Sequence, residues 1–222
     1  MITVHHLNNS RSQRVLWLLE ELGLDYEIKF YQRQPNMRAP AELRAVHPLG
    51  KSPVITDGEN TITESGAIVE YLVDGYGKGR FVPPPDTKAR LRYTYWLHFA
   101  EGTLMPPLLI NLIASRIAGP QVPWFARPIA KRIAANIRDG FSGPEITRDL
   151  DFVESELSDR PYFCGDEFTA ADVQMSFPLE AAAARAGLDQ SRPKTVDWLQ
   201  RIHARPAYQR ALEKGGKYEL LR

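Results

Sequence analysis

Apolar positions fall in short alternating or β-branched runs over the first third of the chain and in long helical-period runs after about residue 86. Ile2 to His6 is short and β-branched, and predicts a strand. From Arg11 to Leu22, the residues Val15, Leu18, Leu19 and Leu22 recur at helical spacing, and Gly23 ends the run. Tyr26 to Tyr31 alternates as a second strand, and Ala41 to Ala45 has room for a short helix. Pro53–Thr56 and Asn60–Thr63 flank Asp57-Gly58-Glu59, a hairpin signal. Ala67, Ile68, Tyr71 and Leu72 then mark one face of a helix ending near Gly75. The order β-α-β-α-β-β-α fits a small α/β layer domain whose first crossover is right-handed and joins parallel strands.

Glycines 75, 77 and 79 and Pro83-Pro84-Pro85 punctuate the next stretch, and the prolines favour an extended linker. Beyond Asp86 strand signals nearly vanish. Trp96, Leu97, Ala100 and Leu104, and later Leu150, Val153 and Leu157, read as helix faces. The expected organisation is a domain over residues 1–77, a linker over 78–86 and an all-α domain over 87–222. Thr169-Ala170-Ala171-Asp172 has capping-box spacing and predicts a structural helix start.

Composition narrows the partners. The chain has 222 residues and a net charge of +1, which gives no reason to expect nucleic acid or an anionic membrane. A single cysteine, Cys164, excludes an intrachain disulfide or a cysteine-based metal site and suits a reducing cytosol. No secretory leader is legible, and the apolar stretch around Leu104–Ala114, broken by Pro106-Pro107, reads as too short for a bilayer. A cytoplasmic protein is expected.

Candidate chemistry gathers at His47-Pro48-Leu49-Gly50-Lys51-Ser52-Pro53-Val54 and at Glu64-Ser65. If Ser52-Pro53 is cis, the Ser52 backbone turns outward and can pair with an extended peptide; a trans proline opening a strand is the plain alternative. Glu64-Ser65 opens a helix, where free N–H groups favour an anion and Glu64 can pair with an ammonium. Together they suit a zwitterionic amino-acid head group; alone, each reads as ordinary capping. Ser10, with Gln13 at capping-box distance, can cap the first helix and still donate to a bound thiolate. No Ser-His-Asp or Cys-His pattern supports covalent catalysis. His5, His6, His98 and His203 read as structural or surface residues, His47 as a weak positioning candidate, and Cys164 as a small core residue.

Four segments, in this order and spacing, give the chain a likeness to a known family: Leu7-Asn8-Asn9-Ser10-Arg11-Ser12-Gln13-Arg14, Lys51-Ser52-Pro53-Val54, Glu64-Ser65 and Phe168-Thr169-Ala170-Ala171-Asp172. Over essentially its whole length the chain resembles the cytosolic glutathione transferases, nearest the serine-type bacterial and fungal subgroup. The resemblance implies a thioredoxin-like N-terminal domain, an all-α C-terminal domain and a homodimer. It implies a cis Pro53 with the Ser52 backbone on the cysteinyl part of glutathione. Glu64 and Ser65 would hold the γ-glutamyl head group, and Lys51 the ligand's peptide or glycine carboxylate. Ser10 matches the thiol-activating hydroxyl, with Asn9 and Ser12 as competitors. An apolar residue is more usual at Ser52. Glutathione would be a co-substrate, with no permanent cofactor and no metal.

Lowering a free thiol's pKa of about 8.5 by two units takes ~2.7 kcal/mol. One hydrogen bond to the thiolate supplies about 1.5–3 kcal/mol, and the positive end of the first helix assists. The hydrophobic electrophile is expected between the Ser10 loop and the first long helix of the second domain. Tyr95, Trp96, Phe99, Met105, Trp124 and Phe125 are candidates for its pocket, against ordinary helix core. Two other readings remain open: reduction of a peroxide or mixed disulfide by glutathione, and a non-catalytic partner-binding scaffold.

Overall fold

A computed structural model describes residues 1–36 and 38–220. The first part of the chain forms β1 (Ile2–Leu7), α1 (Ser12–Leu22), β2 (Tyr26–Tyr31), α2 (Ala41–Val46), β3 (Val54–Asp57), β4 (Asn60–Thr63) and α3 (Ser65–Tyr76). The strand order is β2-β1-β3-β4. β1 and β2 run parallel, as a helical crossover between them requires, while β3 is antiparallel to β1 and β4. Val4 stands between Ile28 and Ile55, so the pleat directs β-branched residues into one layer. A two-residue turn at Gly58-Glu59 closes the hairpin, with Gly58 at φ +57°.

The helix layer explains the apolar spacing. Val15, Leu16, Leu18 and Leu19 of α1 pack with Ile68, Val69 and Leu72 of α3 in the main core, which Ile2, Val4 and Ile55 join from the sheet. Gly23, at φ +69°, ends α1: its N–H bonds the Glu20 carbonyl while Leu24 N–H reaches back to Leu19. The remaining helices are α4 (Lys88–Phe99), a π turn (Ala100–Leu104), α5 (Met105–Ile117), α6 (Arg127–Ile137) and a second π turn (Arg138–Ser142). After them come α7 (Gly143–Glu156), α8 (Ala170–Arg185), α9 (Pro193–His203) and α10 (Pro206–Gly215). α1 is buried nearly all round, because α10, α3 and α8 close on its other faces. Its polar residues are therefore forced into contacts with other elements.

Residues 77–87 run as turns and bends between the two parts. The Phe81 carbonyl accepts from Ala170 N–H at 2.8 Å, and Arg80 donates to the Leu22 carbonyl at 2.8 Å, which fastens this segment to both domains. The expected α/β-plus-helical architecture is the observed one.

Two features depart from the sequence reading. The π turn lets α4 and α5 run on as a single helix, Lys88–Ile117, through Pro106-Pro107, since prolines in the first turn of α5 lack only N–H groups that the break leaves unpaired. That helix is long and apolar enough to cross a bilayer by length and composition, although the Leu104–Ala114 stretch alone is too short. Tyr93, Trp96, Leu97, Ala100 and Leu104 along it are packed in the core. At the start of α8 the capping box is present, and Asp172 does more than cap. Its carboxylate also accepts from Phe163 N–H at 3.1 Å and Trp198 Nε1 at 3.0 Å. Burial pushes its pKa up to about 6, against the pull of these donors.

Candidate active site

The loop between β1 and α1 carries the first group of candidates. Ser10 is only 2% exposed. Its Oγ accepts from Ser12 N–H at 3.3 Å, so it caps the residue two positions on, and α1 begins at Ser12 with no side-chain cap at Arg11. The expected bond to the third residue is replaced by a main-chain one, Gln13 N–H to the Ser10 carbonyl. Ser10 Oγ lies 2.8 Å from Ser12 Oγ and 3.1 Å from Ser52 Oγ. Ser12 Oγ is 2.9 Å from Nδ1 of His6, whose pKa burial pushes down to about 4. His6, read from the sequence as structural or surface, is thus the inner end of a hydroxyl chain. Asn9 turns elsewhere: its Oδ1 accepts from Glu219 N–H at 2.9 Å.

A cleft of about 560 Å³ opens in front of this loop. Lys51, Ser52, Pro53, Glu64 and Ser65 all line it, so two segments separated by the β3–β4 hairpin meet on one wall. The Ser52–Pro53 peptide bond is cis, and β3 begins at the next residue. Glu64 adopts φ +64°, a sparsely populated conformation for a side chain with a Cβ, of the kind that costs about 1–3 kcal/mol and gathers at binding sites. Its carbonyl accepts from Ile68 N–H at 2.9 Å and opens α3. Among the described residues no side chain caps α3, so its first N–H groups are left for another acceptor. His47 also faces the cleft, and its Nδ1 is buried without a partner among the described residues.

Ser10 itself does not line the cleft; it sits directly behind Ser52. Ser12 and Asn9 are likewise absent from its walls.

The residues expected around the electrophile lie apart from this cleft. Tyr95, Trp96, Phe99, Met105, Trp124 and Phe125 are not on the cleft wall. Trp96 is fully buried, its ring 4.5 Å from that of Phe163, and Phe99 and Met105 are core residues beside it. Tyr95 is half exposed on α4, with its ring 6.3 Å from that of Phe152. Trp124 and Phe125 are exposed between α5 and α6. Helical spacing places a residue on a face but does not say which face meets the other domain. The helical domain contributes Glu101 and Leu109 to the cleft instead.

Glu101 ties this wall to α1. Arg11 Nε donates to both of its carboxylate oxygens, at 3.0 and 3.1 Å, and Arg14 Nη2 donates to Oε1. Arg14 is 1% exposed and also donates to the Gln174 carbonyl at 2.5 Å. Burial alone would raise the Glu101 pKa, but Arg14 and Arg11 outweigh it and hold the carboxyl below its ordinary value. The sequence signal was a lone carboxylate between Phe99 and Leu104 in an otherwise apolar run. Cys164 lies in the core, where burial pushes its thiol up to about 12, too high for a nucleophile. Among the described residues no three His, Cys, Asp or Glu side chains converge as a metal site.

The chain thus joins a four-stranded mixed sheet and an all-α part, with a cleft lined by Arg11, Arg38, Arg44 and Lys51 beside Ser52-Pro53. Residues 1–74 match the glutathione S-transferase N-terminal domain, and residues 142–206 the C-terminal domain. The chain is 40% identical over 216 residues to glutathione S-transferase 3 of Schizosaccharomyces pombe, covering 96% of this chain and 88% of the relative. It is 35% identical to glutathione S-transferase 1 of Saccharomyces cerevisiae over 96% of this chain and 95% of the relative. The crystal structure of a glutathione S-transferase from Actinobacillus pleuropneumoniae superposes with a TM-score of 0.83 at 34% identity, over 100% of this chain and 96% of that one. A glutathione transferase from Phanerochaete chrysosporium, solved with oxidized glutathione, gives 0.76 at 28% identity, over 96% of each chain. The chain belongs to the glutathione S-transferase family.

Proposed function

We infer that the protein is a glutathione transferase: it binds glutathione in the cleft, ionises its thiol and lets the thiolate attack an electrophile. The observation that carries this is the convergence of Ser52, Pro53, Glu64 and Ser65 on one wall with Ser10 hydrogen-bonded behind it. Glu64 pairs with the ligand's ammonium, and the open start of α3 with Ser65 takes its α-carboxylate. Lys51 meets the glycine carboxylate. The hydroxyl at Ser10, as in serine-type members, lowers the thiol pKa with help from the positive end of α1 and the nearby Arg11 guanidinium. The electrophile enters on the side formed by Arg11, Glu101 and Leu109. No permanent cofactor is needed for this chemistry. The same proposal extends to a cytoplasmic homodimer, as the family likeness suggests.

The deciding experiment is a parallel assay of the purified protein with glutathione and a chloronitroarene, an organic hydroperoxide or a mixed disulfide. Conjugation of the chloronitroarene is the expected result. Turnover of the disulfide alone would overturn it.

A further inference from the structure

Ser52, Ser10, Ser12 and His6 form one line of hydrogen bonds from the cleft wall into the core, at 3.1, 2.8 and 2.9 Å. Its inner end is buried, and burial holds the His6 imidazole well below its ordinary pKa. Gly215 is placed where any Cβ would fall 2.5 Å from Gln13 Oε1 and 2.9 Å from Leu16 Cδ1, so its lack of a side chain allows α10 to end against α1. Ser12 Oγ pairs with Nδ1 of His6 at 2.9 Å and with Ser10 Oγ at 2.8 Å, and the Leu7 carbonyl lies 3.5 Å from it.

Of the three hydroxyl groups, those of Ser10 and Ser12 share well-formed internal contacts at 2.8 and 2.9 Å. The third, on Ser52, has two acceptors among the described residues, Ser10 Oγ at 3.1 Å and the His5 carbonyl at 3.4 Å. Both exceed the usual 2.5–3.0 Å for O–H···O. The most loosely held hydroxyl of the line is thus the one of the three that lines the cleft.

We propose that the Ser52 side chain is a second thiol-contacting hydroxyl, whose O–H turns from Ser10 to the sulfur of bound glutathione. Ser52 then acts through its side chain as well as its backbone, and Ser10 holds the Ser52 oxygen in register. No covalent bond to the protein is made: the thiol proton leaves to solvent, and Ser52 keeps its own. The inference rests on the cleft being the glutathione site.

The test compares wild type, Ser52→Ala, Ser52→Thr and Ser10→Ala, each saturated with glutathione at pH 7. It reads the thiolate fraction by ultraviolet absorbance and the affinity by calorimetry. Ser52→Ala keeps the backbone groups, so it is expected to bind glutathione within about threefold of wild type while losing about tenfold in thiolate fraction. Ser52→Thr, which restores the hydroxyl, is expected to recover most of that loss. An unchanged thiolate fraction in Ser52→Ala, with a loss in Ser10→Ala, would overturn the inference and leave the glutathione site standing. Absence of glutathione binding by wild type would overturn both.

Discussion

The hydroxyl oxygens of Ser10 and Ser52 stand 3.1 Å apart, although 42 positions separate them in sequence. That distance brings the loop before the first helix against the residue before Pro53. Glu64 and Ser65 complete the same wall. The cleft also gathers Arg11, Arg38, Arg44 and Lys51 in a chain of net charge +1, so its positive character is local and suits an anionic peptide.

Glu64 supplies the first prediction. Its carboxylate is assigned to the ligand's ammonium, and its strained backbone holds it in the wall. Glu64→Gln is expected to weaken glutathione about tenfold by calorimetry, the loss of about 1.4 kcal/mol, while leaving affinity for an analogue without the α-amino group unchanged. Equal losses for the two ligands would contradict the pairing.

The Arg14–Glu101 pair joins α1 to the π turn of the long helix. Removing the carboxylate leaves a guanidinium, 1% exposed, with a carbonyl as its remaining acceptor. Glu101→Ala is expected to cost about 3–5 kcal/mol in denaturant unfolding. Arg14→Met combined with Glu101→Ala is expected to cost less than Glu101→Ala alone, because no buried charge is then stranded. A loss below about 1 kcal/mol in Glu101→Ala would show the pair to be incidental.

His6 gives the stability a pH dependence. The folded pKa is about 4, below the ordinary value of 6.5 for a free imidazole. Between those values the unfolded chain binds the proton and the folded one does not. The contribution of His6 is therefore complete above about pH 6.5 and is lost as pH falls towards 4. Over that window it is worth on the order of 3 kcal/mol. His6→Gln, compared with wild type in unfolding curves from pH 7 to 4, is expected to be less sensitive to acid by that margin. Parallel curves would refute it.

Much of this fold was legible because its signals are local. A β-branched run marked β1, alternation marked β2, the turn signal at Asp57-Gly58-Glu59 marked β3 and β4, helical spacing marked α1 and α3, and Gly23 marked a stop. Pro53 and Glu64-Ser65 were visible as punctuation at element starts. Contacts between distant elements were not. Ser10 looked like a helix cap facing a ligand, yet it is buried behind Ser52. His6 looked like strand filler, and only its approach to Ser12 gives it a partner in the hydroxyl chain. Trp96 and Phe99 carry the right chemistry for an apolar pocket but lie on the inward face of α4, in the core with Phe163. Glu101 reaches the cleft from the π turn, a break in helical period that the residue types do not announce.

The pKa of the thiol in bound glutathione, titrated by thiolate absorbance in wild type and in Ser10→Ala, tests the central claim most directly. In wild type the midpoint is expected about two pH units below the free value of about 8.5. Ser10→Ala is expected to raise it by at least about one unit while glutathione still binds. A wild-type midpoint near 8.5, or the same midpoint in both proteins, would contradict thiol activation at Ser10.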